Sequence, residues 1–212
     1  MTTALITGAS SGIGWELARQ FAKNKHHVVL VARSTGKLQE LANELTSRYG
    51  IIVKVIPADL GKINEVQKVF DICKTENIQV DYLVNNAGFG DFGFFHEADW
   101  NKTEQMIDLN VKSLTRMCRL FIPDMIKRKT GKVMNVASTA AFQPGPTMAV
   151  YYATKAYVLH FSEAINNELS KAGITVTALC PGATESGFQQ AAAMEDSKLV
   201  KGKKLPTSAE VA

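Results

Sequence analysis

The chain has no long hydrophobic run: no stretch of its 212 residues approaches the roughly 20 apolar residues that a transmembrane helix needs. The first strand-like run begins at Thr3, almost at the initiator methionine, which leads us to expect no signal peptide. Both absences favour a cytoplasmic protein without a membrane span.

Cysteine is scarce as well, since the sequence has only Cys73, Cys118 and Cys180. The three residues are far apart, form no CxxC motif and have no histidine partner at metal-ligand spacing. Isolated cysteines in odd number predict reduced thiols in a cytoplasmic compartment, without disulfide bonds and without a metal site.

The composition shows no bias towards disorder, with 46% hydrophobic and 21% charged residues. The formal net charge of +4 comes largely from a segment near the end of the chain that holds Lys198, Lys201, Lys203 and Lys204. Because these lysines are neither spread along one helix nor interleaved with aromatic residues, we expect no nucleic-acid partner. A chain of this length buries roughly 70% of its unfolded surface, so a single domain over 1–212 is expected.

Short runs rich in Val and Ile alternate with longer amphipathic stretches. The runs predict strands at 3–7, 27–32, 51–56, 80–84, 132–137 and 174–180. The stretches between them predict helices at 13–25, 36–49, 62–78, 101–128 and 150–172. Because the strands lack polar alternation and are separated by helices, we predict a Rossmann-like, doubly wound parallel α/β sheet with helices on both faces.

Each predicted strand is followed directly by a polar or glycine-containing turn. The turns GASSGIG, ARS, ADL, NNAG, STAA and PGATES follow the six strands in chain order. In an open parallel sheet the ligand site lies beyond the carboxyl ends of the strands, where the strand order reverses. The sequence therefore predicts a ligand site that these turns share.

The turn after the first strand reads TGASSGIG over residues 7–14 and contains Gly8, Gly12 and Gly14. Glycine permits a tight turn and a close approach of the backbone, while the free N–H groups and positive end of the next helix favour a pyrophosphate group. The GxxxGxG spacing differs from the common GxGxxG fingerprint. Its position after the first strand makes dinucleotide binding the favoured interpretation over a purely structural turn.

The end of the second strand indicates which dinucleotide is bound. An Asp or Glu at this place usually accepts a hydrogen bond from the ribose 2′-hydroxyl of NAD(H). This chain has Ala32 and then Arg33, whose guanidinium can pair with a 2′-phosphate, so NADP(H) is favoured over NAD(H). Asp59, after the third strand, is interpreted either as an acceptor for the adenine amino group or as a helix N-cap.

Three residues near the fifth strand suggest proton-transfer chemistry. Ser138 follows the strand, and Tyr151 and Lys155 stand in the run YYATK at a spacing that puts them on one helix face. A tyrosine with a pKa of about 10 needs a shift of about three units, or about 4 kcal/mol, to act as an acid or base near neutrality. A lysine ammonium at about 4 Å supplies that much at an effective dielectric constant near 20.

Taken together, these motifs resemble the short-chain dehydrogenase/reductase family. The matching features are TGASSGIG, NNAG at 85–88, Asn110 in DLNV, Ser138, Tyr151 with Lys155, and Pro-Gly at 181–182. They occur in the family's order and extend over most of the chain.

The resemblance implies a role for each residue of the site. Tyr151 would donate or accept the proton, Ser138 would hydrogen-bond the substrate oxygen, and Lys155 would hold the nicotinamide ribose and lower the pKa of Tyr151. Asn110 would support a water-linked proton relay and complete the catalytic set. The residues expected to bind the cofactor are Gly8, Ser10, Ser11, Gly12, Ile13, Gly14, Arg33, Asp59, Leu60, Asn86, Ala87, Gly88, Tyr151, Lys155, Pro181, Gly182, Thr184 and Ser186.

The predicted function is hydride transfer between NADP(H) and a small carbonyl or alcohol substrate, with Tyr151 as acid or base. The alternative is a non-catalytic NADPH-binding regulator or sensor of the same fold. The intact Ser138, Tyr151 and Lys155 speak against it, because sensing needs no proton donor. The resemblance also implies a homo-dimer or homo-tetramer that associates through the helices at 101–128 and 150–172.

Several apolar residues are candidates for the wall of the substrate pocket. They are Phe89, Phe92, Phe94, Phe95, Trp100, Met148 and Phe188. These residues either line an apolar pocket or pack against neighbouring helices, and the first interpretation predicts a medium-sized apolar ketone or aldehyde.

The last residues, 206–212, read PTSAEVA and predict the start of a helix. Members of the family usually continue with a further helix and a seventh strand. We therefore expect the sequence to lack its C-terminal part and the sheet to lack the family's last strand.

Overall fold

The computed structural model of the chain describes residues 1–188, residue 192 and residues 204–212; Lys198, Lys201 and Lys203 of the basic segment lie outside this part. Its central feature is a six-stranded sheet in which all neighbouring strands are parallel. The strands are β1 (Thr3–Thr7), β2 (His27–Ala32), β3 (Val53–Pro57), β4 (Tyr82–Asn85), β5 (Gly131–Val136) and β6 (Ile174–Leu179). The six predicted strands are confirmed, with small shifts at their ends.

Helices connect the strands. They are α1 (Gly12–Lys23), α2 (Thr35–Tyr49), α3 (Ile63–Thr75), α4 (Trp100–Ile107), α5 (Leu114–Arg128), α6 (Ala149–Leu169) and α7 (Ser208–Val211). The helix predicted over 101–128 is confirmed in extent, but its middle, Asp108–Ser113, is π-helical, a rare conformation that is frequent at functional sites. None of the helices in the described part of the chain combines the length and hydropathy that a membrane span requires.

Alternate residues of the strands pack on opposite faces of the sheet, as the pleat requires. On β1, Ala4 and Ile6 join α1 and α2 in one buried cluster, whereas Leu5 joins α3, α5 and α6 in another. Because helices cover both faces, the inner strands are apolar along their length, which explains why the sequence shows no polar alternation there.

The first three strands and the last three strands of the chain lie on opposite sides of the centre of the sheet. Its strand order is β3-β2-β1-β4-β5-β6, so the chain moves outward from β1 to β3 and then returns to β4 on the other side of β1. The connections leave the carboxyl ends of β1 and β4 towards opposite faces, and this arrangement forms a crevice between the two turns. The predicted doubly wound, Rossmann-like α/β fold is confirmed.

The last helix packs on the first. α7 contacts α1, and Ala212 packs against the buried cluster of α1 and α2. Thr207 caps α7 through reciprocal hydrogen bonds with Glu210, and Glu185 pairs with Thr207 in an isolated parallel bridge. The predicted helix start in 206–212 is therefore confirmed.

Gly173 joins the end of α6 to β6 in a conformation that favours glycine, with φ +75°. A Cβ atom at this position would lie 2.6 Å from the backbone oxygen of Lys129, just before β5. We expect Gly173→Ala to lower the free energy of unfolding by about 2 kcal/mol, because both the left-handed backbone and the close contact oppose the methyl group. Urea denaturation measures this change.

Gly36→Ala is the matched control, because Gly36 lies in α2 and a Cβ atom there would meet none of the described residues within 4 Å. This variant should keep or slightly raise the free energy of unfolding, since alanine favours a helix more than glycine does. Equal losses in the two variants would contradict a specific constraint at Gly173.

Candidate functional site

A cleft of about 830 Å³ runs along the carboxyl ends of the strands, where the six predicted turns meet. The predicted site residues that line it are Gly8, Ser10, Ser11, Gly12, Ile13, Arg33, Asp59, Leu60, Asn86, Ala87, Gly88, Ser138, Tyr151, Lys155, Pro181, Gly182, Thr184 and Ser186. The two that do not line it are Gly14 and Asn110, which are buried behind its wall.

The glycine turn after β1 needs small residues because three chain segments meet there. Gly8 has φ +65°, and a Cβ atom on it would lie 2.7 Å from the side-chain nitrogen of Asn86. A Cβ atom on Gly14 would overlap both that nitrogen and the carbonyl oxygen of Gly8. The Asn86 side chain therefore occupies the space between the start of α1 and the glycine turn, and glycine at positions 8 and 14 leaves room for it.

Thr7 and Asn86 join the turns after β1 and β4. The Thr7 hydroxyl accepts hydrogen bonds from the backbone N–H groups of Asn86 and Ala87 at 2.9 and 3.0 Å. The Asn86 side-chain nitrogen donates to the backbone oxygens of Thr7 and Gly8 at 2.9 and 3.2 Å. The sequence analysis did not identify Thr7, although its place at the last residue of β1 was the signal that could have found it.

The N-terminus of α1 opens into the cleft. Ser11 is its N-cap, and within the described residues the Ser11 side chain makes no capping bond. The first N–H groups of a helix have no partner within the helix, and the first turn of α1 has no acidic residue to compete for them. This helix end therefore carries partial positive charge that suits a pyrophosphate group.

The far end of the cleft lies beside β2 and β3. Arg33 follows β2 with an exposed side chain, and the half-buried Asp59 follows β3. The Asp59 carboxylate accepts a hydrogen bond from the Gly61 N–H at 3.2 Å, and the N-cap of α3 is Lys62. The interpretation of Asp59 as a helix N-cap is therefore wrong, because its carboxylate closes the turn before the helix.

Ser138 and Tyr151 meet where β5 and β6 end. The Ser138 hydroxyl accepts from the Ala140 N–H at 3.1 Å, donates to the Pro181 oxygen at 3.4 Å and contacts the Tyr151 phenol. Tyr151 is only 8% exposed, and its ring packs against Phe188 with centroids 5.3 Å apart. The hydroxyl and the phenol therefore share one corner of the cleft.

The protonation of Tyr151 differs from the expectation. Burial raises the pKa of Tyr151 to about 12, and the hydrogen bond with Ser138 offsets only part of this rise. The expected lowering of the pKa by Lys155 is absent, because burial and the neighbouring Tyr152 raise the pKa and Ser138 is the group that lowers it. The phenol is therefore protonated at neutral pH.

Lys155 is buried beneath the cleft floor, with 6% of its surface exposed. Its Nζ donates a 2.7 Å hydrogen bond to the oxygen of Val136, the last residue of β5. The same nitrogen lies 5.8 Å from the centroid of the Tyr151 ring, which confirms the shared helix face. Burial lowers the pKa of Lys155 to about 8, and the neighbouring Cys180 offsets a smaller part.

Asn110 lies in the π-helical segment and fastens the loop after β4. Its side-chain oxygen accepts from the Phe89 N–H at 3.1 Å, and its nitrogen donates to the Phe89 oxygen at 2.9 Å and to the Thr154 hydroxyl at 3.1 Å. A Cβ atom on Gly88 would lie 2.9 Å from this Asn110 oxygen and 3.6 Å from Lys155 Nζ. Asn110 is thus close to Lys155, and its proton relay stays a prediction.

The segment after β6 forms the remaining wall. The Thr184 hydroxyl donates to the Gly182 oxygen at 2.9 Å, and Thr184 is buried. The Ser186 hydroxyl accepts from the Phe188 N–H at 3.3 Å, and a Cβ atom on Gly12 would lie 3.4 Å from Ser186 Cβ. This segment therefore reaches the glycine turn and closes the cleft beside α1.

The apolar residues predicted for the substrate pocket separate into two groups. Phe89, Met148 and Phe188 line the cleft, as predicted, and Phe92 packs in the same apolar cluster. The residues that instead face solvent, with at least 60% of their surface exposed, are Phe94, Phe95 and Trp100. The prediction that these three line the pocket is wrong, because the loop between β4 and α4 carries them away from the cleft.

The structure adds cleft residues that the sequence analysis did not identify. They come from the α4 helix, the π-helical segment, the turn after β5 and α6, and they are Lys102, Gln105, Leu109, Gln143 and Tyr152. Lys102 is already paired with Asp91 at 2.5 Å. Only Gln143 had a sequence signal, which was its place in the turn that follows a predicted strand.

A smaller groove of about 330 Å³ is lined by residues between Asn64 and Glu76, on α3 and its end, and none of the predicted site residues reaches it. Within the described ranges, no group of three or more His, Cys, Asp or Glu side chains is arranged to hold a metal ion. The large cleft is therefore the candidate site.

Comparison with known sequences gives two findings. A family model described as short chain dehydrogenase matches residues 2–197. The very-long-chain 3-oxoacyl-CoA reductase of Anas platyrhynchos is 36% identical over 185 residues, which cover 84% of this chain and 58% of that protein. The chain thus spans less than two thirds of the length of this curated relative.

Solved structures match the fold over its whole length. The short-chain dehydrogenase from Sphingobium yanoikuyae in complex with NADPH matches with a TM-score of 0.93 and 36% identity, covering 100% of this chain and 81% of the other. The bulky-bulky ketone specific alcohol dehydrogenase from Comamonas testosteroni has a TM-score of 0.87 and 32% identity, covering 100% of this chain and 79% of the other. The NADPH in the first complex agrees with the predicted cofactor.

Burial of Lys155 gives a testable pH dependence of stability. Its pKa falls from 10.5 to about 8 on folding, so between these values the unfolded chain keeps a proton that the folded chain has released. The free energy of unfolding should therefore rise with pH across this window, by roughly 3 kcal/mol in full, and Lys155→Met should lack this rise. Urea denaturation of both proteins between pH 7 and pH 10 measures the difference.

Lys171→Met is the control, because Lys171 is exposed at the end of α6. Its stability should follow that of the parent at every pH. Parallel pH profiles for the parent and Lys155→Met would contradict the burial of a titrating amine.

Proposed function

Because the chain belongs to the short-chain dehydrogenase/reductase family, we propose that the protein is an NADP(H)-dependent oxidoreductase that interconverts a carbonyl compound and its alcohol. The observation that carries this proposal is one continuous cleft, which contains the glycine turn at one end and Ser138, Tyr151 and Lys155 at the other. A fold that only held a nucleotide would not need a buried phenol, hydroxyl and amine beside it.

The residues of the cleft fit a dinucleotide. Gly8 and Gly12 line the cleft without side chains of their own, so backbone atoms of the glycine turn can approach a pyrophosphate there. Asp59 and Leu60 would contact adenine, and the segment from Pro181 to Ser186 would receive the carboxamide. When bound, NADPH supplies the hydride that reduces the carbonyl carbon.

Tyr151 and Ser138 would act on the substrate oxygen. The Ser138 hydroxyl and the Tyr151 phenol lie in contact, so both can donate hydrogen bonds to one oxygen and stabilise the negative charge that develops on it. Burial keeps the proton on Tyr151 at neutral pH, which supports its role as the proton donor in carbonyl reduction. Oxidation of an alcohol is the same path reversed.

Lys155 and Asn110 would support the proton transfer by Tyr151 without contacting the substrate oxygen. The Lys155 ammonium has donors beyond the one that binds the Val136 oxygen, and these can hold the nicotinamide ribose. Asn110 fixes the loop at Phe89 and would connect the site to a proton relay.

The substrate end of the cleft supports an apolar carbonyl compound. Phe89, Met148 and Phe188 form an apolar wall close to Tyr151, and the polar groups nearby belong to the proposed chemistry. Two similar proteins act on ketones by name, since one is called a very-long-chain 3-oxoacyl-CoA reductase and the other a bulky-bulky ketone specific alcohol dehydrogenase. We propose a medium-sized apolar ketone or aldehyde as the substrate.

We further propose that the protein works as a homo-oligomer in the cytoplasm. The outer face of α6 carries the exposed Tyr157, which stacks on the half-buried Phe161 with centroids 5.6 Å apart. The Tyr157 hydroxyl is 2.9 Å from that of Thr115 on α5, so the two long helices present one surface. An exposed aromatic surface of this kind supports contact between copies of the chain.

Removal of one hydroxyl tests the proposed acid. We expect Tyr151→Phe to lower kcat with a panel of apolar ketones and aldehydes by about a thousandfold, because the proton donor is lost. NADPH binding, measured by its fluorescence, should stay close to that of the parent. The assay follows NADPH consumption.

Tyr49→Phe is the control, because it removes a hydroxyl at the end of α2, outside the cleft, and should change kcat little. Equal effects of the two substitutions would contradict Tyr151 as the acid. NADPH binding by the parent without turnover of any panel member would instead favour a sensor over an enzyme.

The choice between the two cofactors is tested at Arg33. We expect Arg33→Ala to raise the KM for NADPH by about 10-fold to 100-fold, because a charge-assisted hydrogen-bond pair with the 2′-phosphate is lost. The KM for NADH should change little. Arg48→Ala, at an exposed arginine near the end of α2, is the control. A parallel loss with both cofactors would contradict the pairing of Arg33 with the phosphate.

A further inference from the structure

Three polar side chains are buried together in the middle of the fold, outside the cleft. Asn85 of β4, Asn135 of β5 and Ser162 of α6 are each at most 3% exposed. Their surroundings are the apolar side chains of β4, β5, α5 and α6. Buried polar groups cost stability unless they are paired. The presence of these three side chains among apolar residues therefore needs an explanation.

The hydrogen bonds between these side chains run in one direction. The Asn85 nitrogen donates to the Asn135 oxygen at 2.9 Å, and the Asn135 nitrogen donates to the Ser162 hydroxyl at 2.9 Å. The Ser162 hydroxyl uses its own proton for the Val158 oxygen at 2.6 Å. Each donor therefore has an acceptor, and the row ends on the backbone of α6.

This row attaches α6 to β5 next to the bond that Lys155 makes. Asn135 binds Ser162, and the following residue of the strand, Val136, accepts from Lys155 Nζ at 2.7 Å. Lys155 and Ser162 are two helical turns apart and therefore lie on the same face of α6. Two successive strand residues thus hold one helix face at two points that are two turns apart.

The other end of the row leads to the glycine turn. Asn85 directly precedes Asn86, whose side chain binds the backbone oxygens of Thr7 and Gly8. The same buried polar row therefore starts beside the nucleotide half of the cleft and ends on the helix that carries Tyr151 and Lys155. A shift of α6 along β5 would change the distance between the two halves.

We propose that Ser162 and Asn135 are a positioning pair, which sets the place of α6 on β5 and thereby aligns Tyr151 and Lys155 with the glycine turn. This proposal rests on the proposed function, because alignment matters only if the two halves act together. The pair is neutral, so it holds the helix whether or not Lys155 keeps its proton and its bond to Val136. Neither residue touches the cleft, so both act through the residues that do.

The test compares two substitutions at Ser162 with one at Ser170, which directly follows the last residue of α6. Ser162→Ala removes the acceptor of Asn135, Ser162→Thr keeps the hydroxyl, and Ser170→Ala removes an exposed hydroxyl that only binds the Asn167 oxygen. We expect Ser162→Ala to lower kcat about tenfold, because small misplacements of reacting groups are costly, with the Kd for NADPH unchanged within about twofold. Ser162→Thr should restore most of kcat, and Ser170→Ala should match the parent.

A merely structural role gives a different result. In that case Ser162→Ala would lower the melting temperature, but its kcat would equal that of Ser170→Ala. This outcome would overturn the proposal. A kcat for Ser162→Thr as low as that of Ser162→Ala, in a variant that melts like the parent, would also overturn it, because the hydroxyl would then not be the cause.

Hydrogen exchange separates this proposal from the proposed function. Ser162→Ala should increase amide exchange in α6 from Tyr151 to Ser162, while α1 and α2 keep the exchange of the parent. This readout needs no substrate. If the exchange changes but the parent turns over no carbonyl compound, the proposed function fails; if the parent is active and neither exchange nor kcat changes in Ser162→Ala, the positioning pair fails.

Discussion

The whole site depends on the contact between the Asn86 amide and the two backbone oxygens of the glycine turn. β1 and β4 are neighbours in the sheet, but their connections leave towards opposite faces, so the turns that follow them diverge. The Asn86 nitrogen and the Thr7 hydroxyl hold these turns together from both directions. Because Gly8 and Gly14 have no side chains, the Asn86 amide fits between the start of α1 and the glycine turn and the segments stay close together.

The fold and the location of the site could be predicted because they follow from regular patterns. Strands buried on both faces are rich in Val and Ile, and parallel strands bring their carboxyl ends to one edge, so the residues after them had to meet. Loop orientation has no such pattern, and Phe94 and Trp100 face solvent although the neighbouring Phe89 lines the cleft. The π-helical segment around Asn110 also depends on packing that local sequence does not specify.

The pKa of Tyr151 shows why electrostatics is harder to predict than position. The spacing from Lys155 correctly predicts that the two residues share a helix face. This spacing carries no information about Phe188, which comes from a segment far along the chain. The Phe188 ring packs against the Tyr151 ring and so contributes to its burial. The direction of the pKa shift therefore depends on desolvation by a distant residue more than on the nearby charge.

The pairing of Glu185 with Thr207 links the wall of the cleft after β6 to the start of α7. The Ser208 hydroxyl adds a 3.0 Å hydrogen bond to the Glu185 oxygen, and α7 itself packs on α1. The segment that carries Thr184 and Ser186 therefore shares one support with the helix that begins at the glycine turn. A substitution in α7 can for this reason alter the shape of the cleft wall while the sheet and the proton-transfer residues stay as they are.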